Sequence, residues 1–353
     1  MKSEPEPHSP LGVQHRMLQT GDLLDDRGLL LEAGYATAPL KRYDQRTAAL
    51  SRGVPTQWHS YAVFNQASAF LITVGNRGRT QYESVMLVDF AQKTGQADLR
   101  TTADFPDLPL TAGAGVIRAK GKLHEYTLRT EQGRHHLYGH AYDSFGGKDP
   151  LLFDLIVEET PQDRLVLALP DSDRGQGFVY SQQLGALPVE GRCIYGASEY
   201  RFAPATSYAC FQWGRAVLPR RYVWRRAQLA GTAEGSRVAL FLGDSPVDSQ
   251  MATENALLCD GRLHKLGPVQ WEPDPAAAKG GAAVAHTLTE QQGRLRLRFE
   301  PAVEVSLQGG SFLAPISKHC LLGHFSGTLR LDDGRVLNLD GLQGMLETVR
   351  FGR

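Results

Sequence analysis

Apolar and polar residues alternate in short runs along much of this chain, and glycine or aspartate separates many of the runs. In residues 294–299, Leu295, Leu297 and Phe299 fall on one face of an extended strand and arginines fall on the other face. A period of two residues is typical of a strand that buries one face. The pattern therefore predicts β-strands over most of the chain.

Turn signals divide these runs into antiparallel hairpins. Asp260-Gly261 separates two apolar runs, and an Asp-Gly pair suits a tight turn that requires positive φ. Helical periodicity is scarce, and the short segments 43–50 and 341–349 are the candidates for it. The close spacing of the strands favours an all-β barrel or sandwich over a parallel sheet with crossover helices. The predicted hairpins lie at 125–139, 257–264 and 328–339.

The length of the chain indicates more than one domain. At 353 residues it exceeds the usual size of a single hydrophobic core. A proline-, aspartate- and glycine-containing run at 170–175 interrupts two strand-rich halves. We predict a disordered lead-in at 1–18, an N-terminal β domain at 19–174 and a C-terminal β domain at 175–353 that carries the pocket. The flexible stretch 271–281 is interpreted as a loop over the barrel mouth.

Charge and cysteine content narrow the class of protein. Lys and Arg number 38, as do Asp and Glu, and this balance disfavours nonspecific binding to nucleic acid or membrane surfaces. No apolar run reaches membrane-spanning length, and the acidic, proline-rich start is unlike a signal peptide. The four cysteines are isolated, which favours free thiols in a reducing cytosol. We predict a cytoplasmic protein without a nucleic-acid partner or membrane insertion, and its oligomeric state stays open.

Aromatic and basic residues are concentrated in the segment 210–226. Aromatic walls with a few fixed charges are typical of a pocket for an apolar or planar ligand. We predict that Trp213, Tyr222 and Trp224 line such a pocket and that Arg215 pairs with a carboxylate or phosphate of the ligand. The alternative is a structural tryptophan at a barrel base with an arginine stacked across it. The basic run within the segment is interpreted as solvated arginines on a strand, rather than as a single-strand binding site.

Candidate proton carriers are few. Glu254 is the best candidate acid, because burial raises the pKa of a glutamate towards neutrality; alternatively it pairs with an arginine and stabilises the barrel. Adjacent strand residues face opposite sides, so at most one of Glu254 and the candidate ligand contact Asn255 points inward. His59 and His264 are candidate catalytic residues because imidazole exchanges protons near pH 7, and His324 is a candidate ligand contact. Each histidine is otherwise structural or at the surface.

Motifs for metals and cofactors are missing from the sequence. His136 and His140 share one strand face, but strand spacing separates them by more than ~10 Å and no nearby Cys or carboxylate completes a ligand set. Neither a G-x-S-x-G elbow nor a G-x-G-x-x-G loop occurs. We therefore expect no metal and no cofactor, and nucleotide-dependent and serine-hydrolase chemistry are disfavoured.

A set of longer motifs runs through the chain. They are Gly21-Asp22-Leu23-Leu24, Ala33-Gly34-Tyr35-Ala36, Trp213-Gly214-Arg215, Asp260-Gly261-Arg262-Leu263-His264-Lys265-Leu266-Gly267 and Phe325-Ser326-Gly327-Thr328. Together with Trp58 and Trp224 they resemble a bacterial family described as domain of unknown function 2804. The second half, through residues 188–191 and the Trp213-Gly214 corner, more remotely resembles the carotenoid 1,2-hydratase and AttH-like group. That resemblance implies an all-β fold of two tandem lipocalin-like (calycin) barrels with few short helices.

One residue departs from the family pattern, which usually places an aspartate before Trp-Gly-Arg. Gln212 occupies this position, and glutamine cannot donate a proton as an acid. One hypothesis is a cofactor-independent lyase, hydratase, isomerase or cyclase, which transfers protons through Glu254 or a histidine. Its substrate would be a small hydrophobic or planar metabolite. A second is a noncatalytic carrier or sensor for a lipid- or terpenoid-like metabolite, and a third is an interaction module with a self-filled pocket.

Overall fold

The fold is nearly all β, with two curled antiparallel sheets that each form a half-barrel. The structure is a computed structural model that describes residues 14–102, 108–142, 144–147, 149–172, 176–274, 283–311 and 314–352. Within these ranges the helical elements are short: helix α1 at Gln45–Ala48 and a 3₁₀ turn at Ser144–Gly146. No helix in the described ranges has the length and apolar character needed to cross a membrane. The predicted all-β, two-barrel fold is confirmed.

The first sheet contains most of the strands before residue 219. Its main path runs in the order β7-β6-β5-β4-β15-β13-β11-β10-β9-β8. Strands β12 and β14 also pair with β13, and β2 pairs with β12. Strands β1 and β3 pair with each other in a separate sheet. The strands are β1 Gly21–Asp22, β2 Gly34–Ala36, β3 Lys41–Arg42, β4 Val54–Phe64, β5 Ser68–Arg77, β6 Thr80–Asp89, β7 Thr94–Thr102, β8 Gly115–Lys120, β9 His124–Glu131, β10 Arg134–Ala141, β11 Leu151–Glu158, β12 Leu165–Pro170, β13 Phe178–Tyr195, β14 Ser198–Phe202 and β15 Tyr208–Leu218.

The second sheet contains the remaining strands. Its path runs in the order β19-β18-β17-β16-β25-β23-β22-β21-β20, and β24 pairs with β23. The strands are β16 Tyr222–Ala233, β17 Ser236–Asp244, β18 Ala256–Cys259, β19 Arg262–Lys265, β20 Val269–Pro273, β21 His286–Glu290, β22 Leu295–Ser311, β23 Ala314–Arg330, β24 Val336–Asn338 and β25 Leu342–Phe351.

The local sequence patterns explain these strands well. Leu295, Leu297 and Phe299 are buried on one face of β22, as their alternation predicts. Asp260 and Gly261 both adopt positive φ between β18 and β19, which confirms that hairpin. The predicted hairpins at 125–139 and 328–339 are also present. The helical interpretation of 341–349 is wrong, because this segment is part of the buried strand β25.

The chain passes from the first sheet to the second at residues 219–221, between β15 and β16. The strands on either side of the predicted boundary near residue 174, β12 and β13, pair with each other. Residues 173–175 and most of the predicted mouth loop, 275–281, lie outside the described residues. So do residues 1–13 of the predicted lead-in. Residues 14–18 are described, and Met17 is 1% exposed.

Three clusters of buried side chains fill the molecule. One lies inside the first half-barrel, one inside the second, and the third lies between the two sheets. Strand β15 contributes to two of them, since Phe211 and Trp213 face the first barrel while Cys210 packs in the cluster between the sheets. The region between the sheets is therefore a shared core that both halves of the chain build.

Candidate functional site

A small cavity of about 50 Å³ lies within this shared core, between the two sheets. Most of its wall is apolar or aromatic, and five polar side chains complete it. The apolar and aromatic residues are Trp58, Tyr82, Leu99, Tyr222, Trp224, Ile316, Val349 and Phe351; the other residues are Thr56, Thr73, Ser84, Arg226 and Lys318. This composition is typical of a small-molecule site, where apolar walls give affinity and a few polar groups orient the ligand.

A row of glycines and aromatic residues forms the wall on the first sheet. Gly214, Trp58, Gly75 and Tyr82 lie side by side on four adjacent strands, β15, β4, β5 and β6. A Cβ on Gly214 would lie 2.0 Å from the Trp58 ring, and a Cβ on Gly75 would lie 2.3 Å from the Tyr82 ring. Each aromatic ring therefore lies against the backbone of the neighbouring strand because a glycine leaves space for it.

A polar row lies next to the aromatic row on the same sheet. Gln212, Ser60, Thr73 and Ser84 occupy matching positions on β15, β4, β5 and β6. The hydroxyl oxygens of Ser60 and Thr73 are 2.8 Å apart and form a hydrogen bond. The Gln212 amide nitrogen donates to Gln183 Oε1 at 2.9 Å. The polar row faces the charged groups of the second sheet.

Three charged side chains on β16, β23 and β25 form the opposite side. Arg226 donates to Glu347 Oε2 through Nε at 2.7 Å and also through Nη2, while Lys318 Nζ lies 2.7 Å from Glu347 Oε1. Lys318 also donates to Ser84 Oγ at 3.2 Å, and Arg226 donates to Gln212 Oε1. These contacts connect the two sheets through ionic and neutral hydrogen bonds.

The ion pairs shift the pKa values of the cluster. Burial alone would raise the pKa of Glu347, but Arg226 and Lys318 lower it to about 2. Burial alone would lower the pKa of Arg226, yet Glu347 raises it above its usual value. Glu347 is therefore a carboxylate at neutral pH and Arg226 remains a cation, although both are buried.

Two tyrosines place phenol groups in the cavity wall. Burial raises the pKa of Tyr82 well above its usual value, and burial raises the pKa of Tyr222 to about 12. The Arg77 guanidinium stacks over the Tyr222 ring at 4.7 Å and over the Phe351 ring at 5.0 Å. Both phenols are therefore protonated at neutral pH, and they can donate a hydrogen bond to a ligand.

The walls combine phenol groups with two cations. Arg226 and Lys318 can stabilise negative charge on a ligand oxygen, and Tyr82 can donate a proton. Among the described residues that line the cavity there is neither a carboxylate nor an imidazole. The geometry therefore suits a ligand with an apolar body and an oxygen at the polar end.

Glu254 and Asn255 line a different cleft, with Asp244, Ser245 and Trp271. Trp224 lies between this cleft and the cavity: its indole nitrogen donates to Glu254 Oε2 at 3.0 Å, while its ring meets Trp58 edge-on at 5.1 Å. Burial raises the pKa of Glu254, as the sequence indicated. Glu254 thus contacts the wall of the cavity from behind and does not line it.

Asn255 makes local contacts beside Glu254. Its amide nitrogen donates to the Gly267 carbonyl at 2.8 Å, and its Oδ1 accepts from the Gly243 amide at 2.9 Å. These bonds connect β17 to the segment after β19. They satisfy the amide group within the fold, which is the role of a structural asparagine.

Trp213, Arg215 and His59 lie inside the first barrel, away from Tyr222 and Trp224. The Arg215 guanidinium lies 4.6 Å from the Trp213 ring centroid and donates to the backbone carbonyls of Gly214 and, at 3.3 Å, Leu108. Burial lowers the pKa of Arg215 to about 10, and burial lowers the pKa of His59 well below its usual value. The predicted group of four wall residues is therefore divided between two cores.

His264 and His324 line none of these spaces. His264 Nδ1 lies 3.1 Å from Asp332 Oδ2, and His324 Nε2 lies 3.3 Å from Glu300 Oε2 on a partly exposed strand face. Within the described ranges, no three His, Cys, Asp or Glu side chains are placed to hold a metal ion. The two histidines therefore contact carboxylates that are separate from the cavity.

Several cavity residues were not predicted from the sequence: Tyr82, Ser84, Arg226, Lys318 and the supporting Glu347. One signal was available. A charged residue interrupts an otherwise apolar strand face at Glu347 in β25 and at Lys318 in β23. Arg226 was placed with the solvated arginines, although it is 9% exposed. Burial of a charge requires a partner, so these interruptions mark positions that face other polar groups.

Comparison with known proteins shows the family of the chain. Residues 14–351 match the family described as domain of unknown function 2804. The chain belongs to this family. The match includes every strand that builds the cavity, so the cavity lies within the family domain. A search of curated proteins found no match.

Solved structures show a similar fold at low sequence identity. Kievitone hydratase from Nectria haematococca is 14% identical, with a TM-score of 0.50 over 85% of this chain and 89% of that chain. An AttH-like protein from Nitrosomonas europaea is also 14% identical, with a TM-score of 0.50 over 88% of this chain and 98% of that chain. At this identity the likeness concerns the fold, because sites diverge faster than folds.

Proposed function

We propose that the cavity between the sheets binds a small hydrophobic or planar metabolite and that the protein acts on it by acid–base chemistry. The reaction class is that of a cofactor-independent lyase, hydratase, isomerase or cyclase. One observation carries the proposal: the aromatic wall ends at two cations, Arg226 and Lys318, with the protonated phenol of Tyr82 in the same wall. The apolar wall supplies affinity, and these polar groups supply the chemistry.

Each polar group has a role in such a reaction. When water adds to a double bond conjugated with a carbonyl, negative charge develops on the carbonyl oxygen. Arg226 and Lys318 stabilise that charge, because hydrogen-bond donors fixed in advance are most effective where charge develops. Tyr82 donates a proton to the carbon beside the carbonyl, and the phenolate so formed takes up the proton that the added water loses. Glu254, His59 and His264, the proton carriers predicted from the sequence, do not line the cavity.

The test begins with the ligand. Native mass spectrometry of protein purified from its own host identifies a co-purifying apolar compound, and the compound or its chemical relatives are then assayed for turnover. We expect Tyr82→Phe to lower kcat by about 10²- to 10⁴-fold, because the phenol proton is lost while the ring remains. Tyr138→Phe, on the exposed face of β10, is the matched control and retains full activity. Loss of turnover in Glu254→Gln but not in Tyr82→Phe would contradict the assignment.

A noncatalytic carrier or sensor is the second candidate. The described cavity wall contains no carboxylate and no imidazole, and binding requires no proton carrier. In that case the wild-type protein returns the co-purified compound chemically unchanged after incubation, while Trp58→Ala releases it. Product formation by the wild type excludes the carrier.

A further inference from the structure

The charges around the polar end of the cavity do not balance. Arg226 and Lys318 both line the cavity, and both pair with the single carboxylate of Glu347, each through a different oxygen. Among the described residues, two cations and one carboxylate leave one positive charge without compensation. The other protein acceptors are neutral, since Gln212 Oε1 accepts from Arg226 and Ser84 Oγ accepts from Lys318.

The surrounding groups do not restore the balance. Arg77 adds a further cation behind Tyr222 and Phe351, and in the described part of the chain its side-chain donors bond to Thr56 Oγ1 and to two backbone carbonyls. Glu254 interacts with Arg226, but it lies behind Trp224, where it accepts the indole N–H, and it does not line the cavity. Neither residue places a negative charge in the cavity wall.

We propose that the cavity selects a ligand with one negative charge, a carboxylate or phenolate attached to a hydrophobic body. The inference rests on the proposed function, because it specifies the ligand of that same cavity. A buried charge without a counterion is costly, and a ligand anion that accepts from Arg226 or Lys318 removes this cost. Gln212 is central, since an acid at its position would contact Arg226 and neutralise the cluster from within the protein.

Two fluorescent probes with the same rings test the proposal. The anionic probe is 1-anilinonaphthalene-8-sulfonate, and the neutral probe is N-phenyl-1-naphthylamine, which lacks the sulfonate. We expect the wild-type protein to bind the anionic probe about tenfold to a hundredfold more tightly, the factor that a charge-assisted hydrogen bond supplies. Gln212→Glu and Lys318→Met, which each remove one unit of net positive charge, bring the ratio of the two Kd values near one.

Matched controls separate charge from shape and folding. Lys318→Arg retains the charge and therefore the ratio, while Val349→Phe fills the cavity and weakens both probes. Binding of the neutral probe shows that the cavity is intact in Gln212→Glu, Lys318→Met and Lys318→Arg. A ratio near one in the wild type overturns the charge proposal and leaves hydrophobic binding in place. A ratio that survives in Gln212→Glu or Lys318→Met, or undiminished binding of the anionic probe in Val349→Phe, also overturns it, because the anion then binds elsewhere. Failure of both probes to bind the wild type overturns the proposed function itself.

Discussion

At the scale of single residues, Glu347 has the largest influence on the site. It is 2% exposed and pairs with both Arg226 and Lys318, so its charge holds two cations at the polar end of the cavity. Removing one partner of a buried ion pair is more damaging than the pair is stabilising, because the remaining charge stays desolvated. The same carboxylate therefore determines both the geometry and the net charge of the site.

The pKa of Glu347 makes its stabilising effect depend on pH. The folded-state pKa is about 2 and the ordinary value is 4.5, so the unfolded chain binds this proton more tightly. The stabilisation is present above about pH 4.5 and is lost as the pH falls towards 2, a loss on the order of 3 kcal/mol. We expect Glu347→Gln to lower the free energy of unfolding at pH 7 by about 3–5 kcal/mol. Urea unfolding of the wild type and of Glu347→Gln from pH 7 to pH 3 measures this difference in stability.

The difference in free energy of unfolding between the wild type and Glu347→Gln should shrink as the pH falls, because protonation makes the wild-type side chain neutral as well. Glu304→Gln is the matched control, since Glu304 pairs with His319 on the partly exposed surface of β22. It should leave the free energy of unfolding nearly unchanged at neutral pH. A constant difference across the pH range would contradict the role of the buried carboxylate.

At the scale of elements, the row of Gly214, Trp58, Gly75 and Tyr82 explains why four strands can present large rings to one cavity. Side chains on neighbouring strands are only about 5 Å apart, which is too close for four large residues in a line. Alternating glycines give each ring the space of two positions. The Trp213-Gly214 corner seen in the sequence thus has a packing function for Trp58.

Gly214→Ala tests this packing. Its Cβ would lie 2.0 Å from Trp58, so the indole must move or the strands must separate. Overpacking of this kind costs about 1–3 kcal/mol, and a displaced Trp58 also changes the tryptophan emission. Gly21→Ala is the control, because nothing lies within 4 Å of the corresponding Cβ. Equal stability of the two variants in urea unfolding would show that Trp58 does not depend on the glycine.

The sequence predicted elements better than it predicted the site. Alternation and turn residues predicted the β22 strand and the hairpin at Asp260-Gly261, since both depend on neighbours in the chain. The prediction that Trp213 and Trp224 share a cavity is not met by the structure: Trp213 faces the first barrel, and the chain enters the second sheet before Trp224. The alternation of residues along a strand shows which side chains share a face. It does not show which other part of the molecule that face packs against.

The charged end of the cavity was harder still to predict. Ser84 and Lys318 are 234 positions apart in sequence, and their contact depends on how two completed sheets pack. No local pattern contains that information. Burial of isolated charges in apolar strands was the one available signal, and it indicates that a partner exists without naming it.

At the scale of the whole molecule, the two half-barrels share one core. The cluster between the sheets includes Leu71 and Met86 from the first sheet and Ile316 and Met345 from the second. Neither sheet can bury this face alone, and polar contacts such as Gln212 with Arg226 add to the apolar ones. We therefore expect the two halves to unfold as one cooperative unit, although each also has an interior of its own.

A substitution that destabilises one barrel should therefore also lower the stability of the other barrel. Phe325 is fully buried in the interior of the second barrel, and Phe325→Ala should lower the free energy of unfolding by about 3–5 kcal/mol. If unfolding is two-state, amide hydrogen exchange of β10 and β11 in the first barrel accelerates by at least ~100-fold, as it does in β21 and β22, because both open through the same global transition. Hydrogen-exchange mass spectrometry measures both regions, with Val336→Ala on the exposed face of β24 as the control. Acceleration confined to the second barrel would show that the shared core does not couple the halves. The cavity would then lie between two halves that unfold independently.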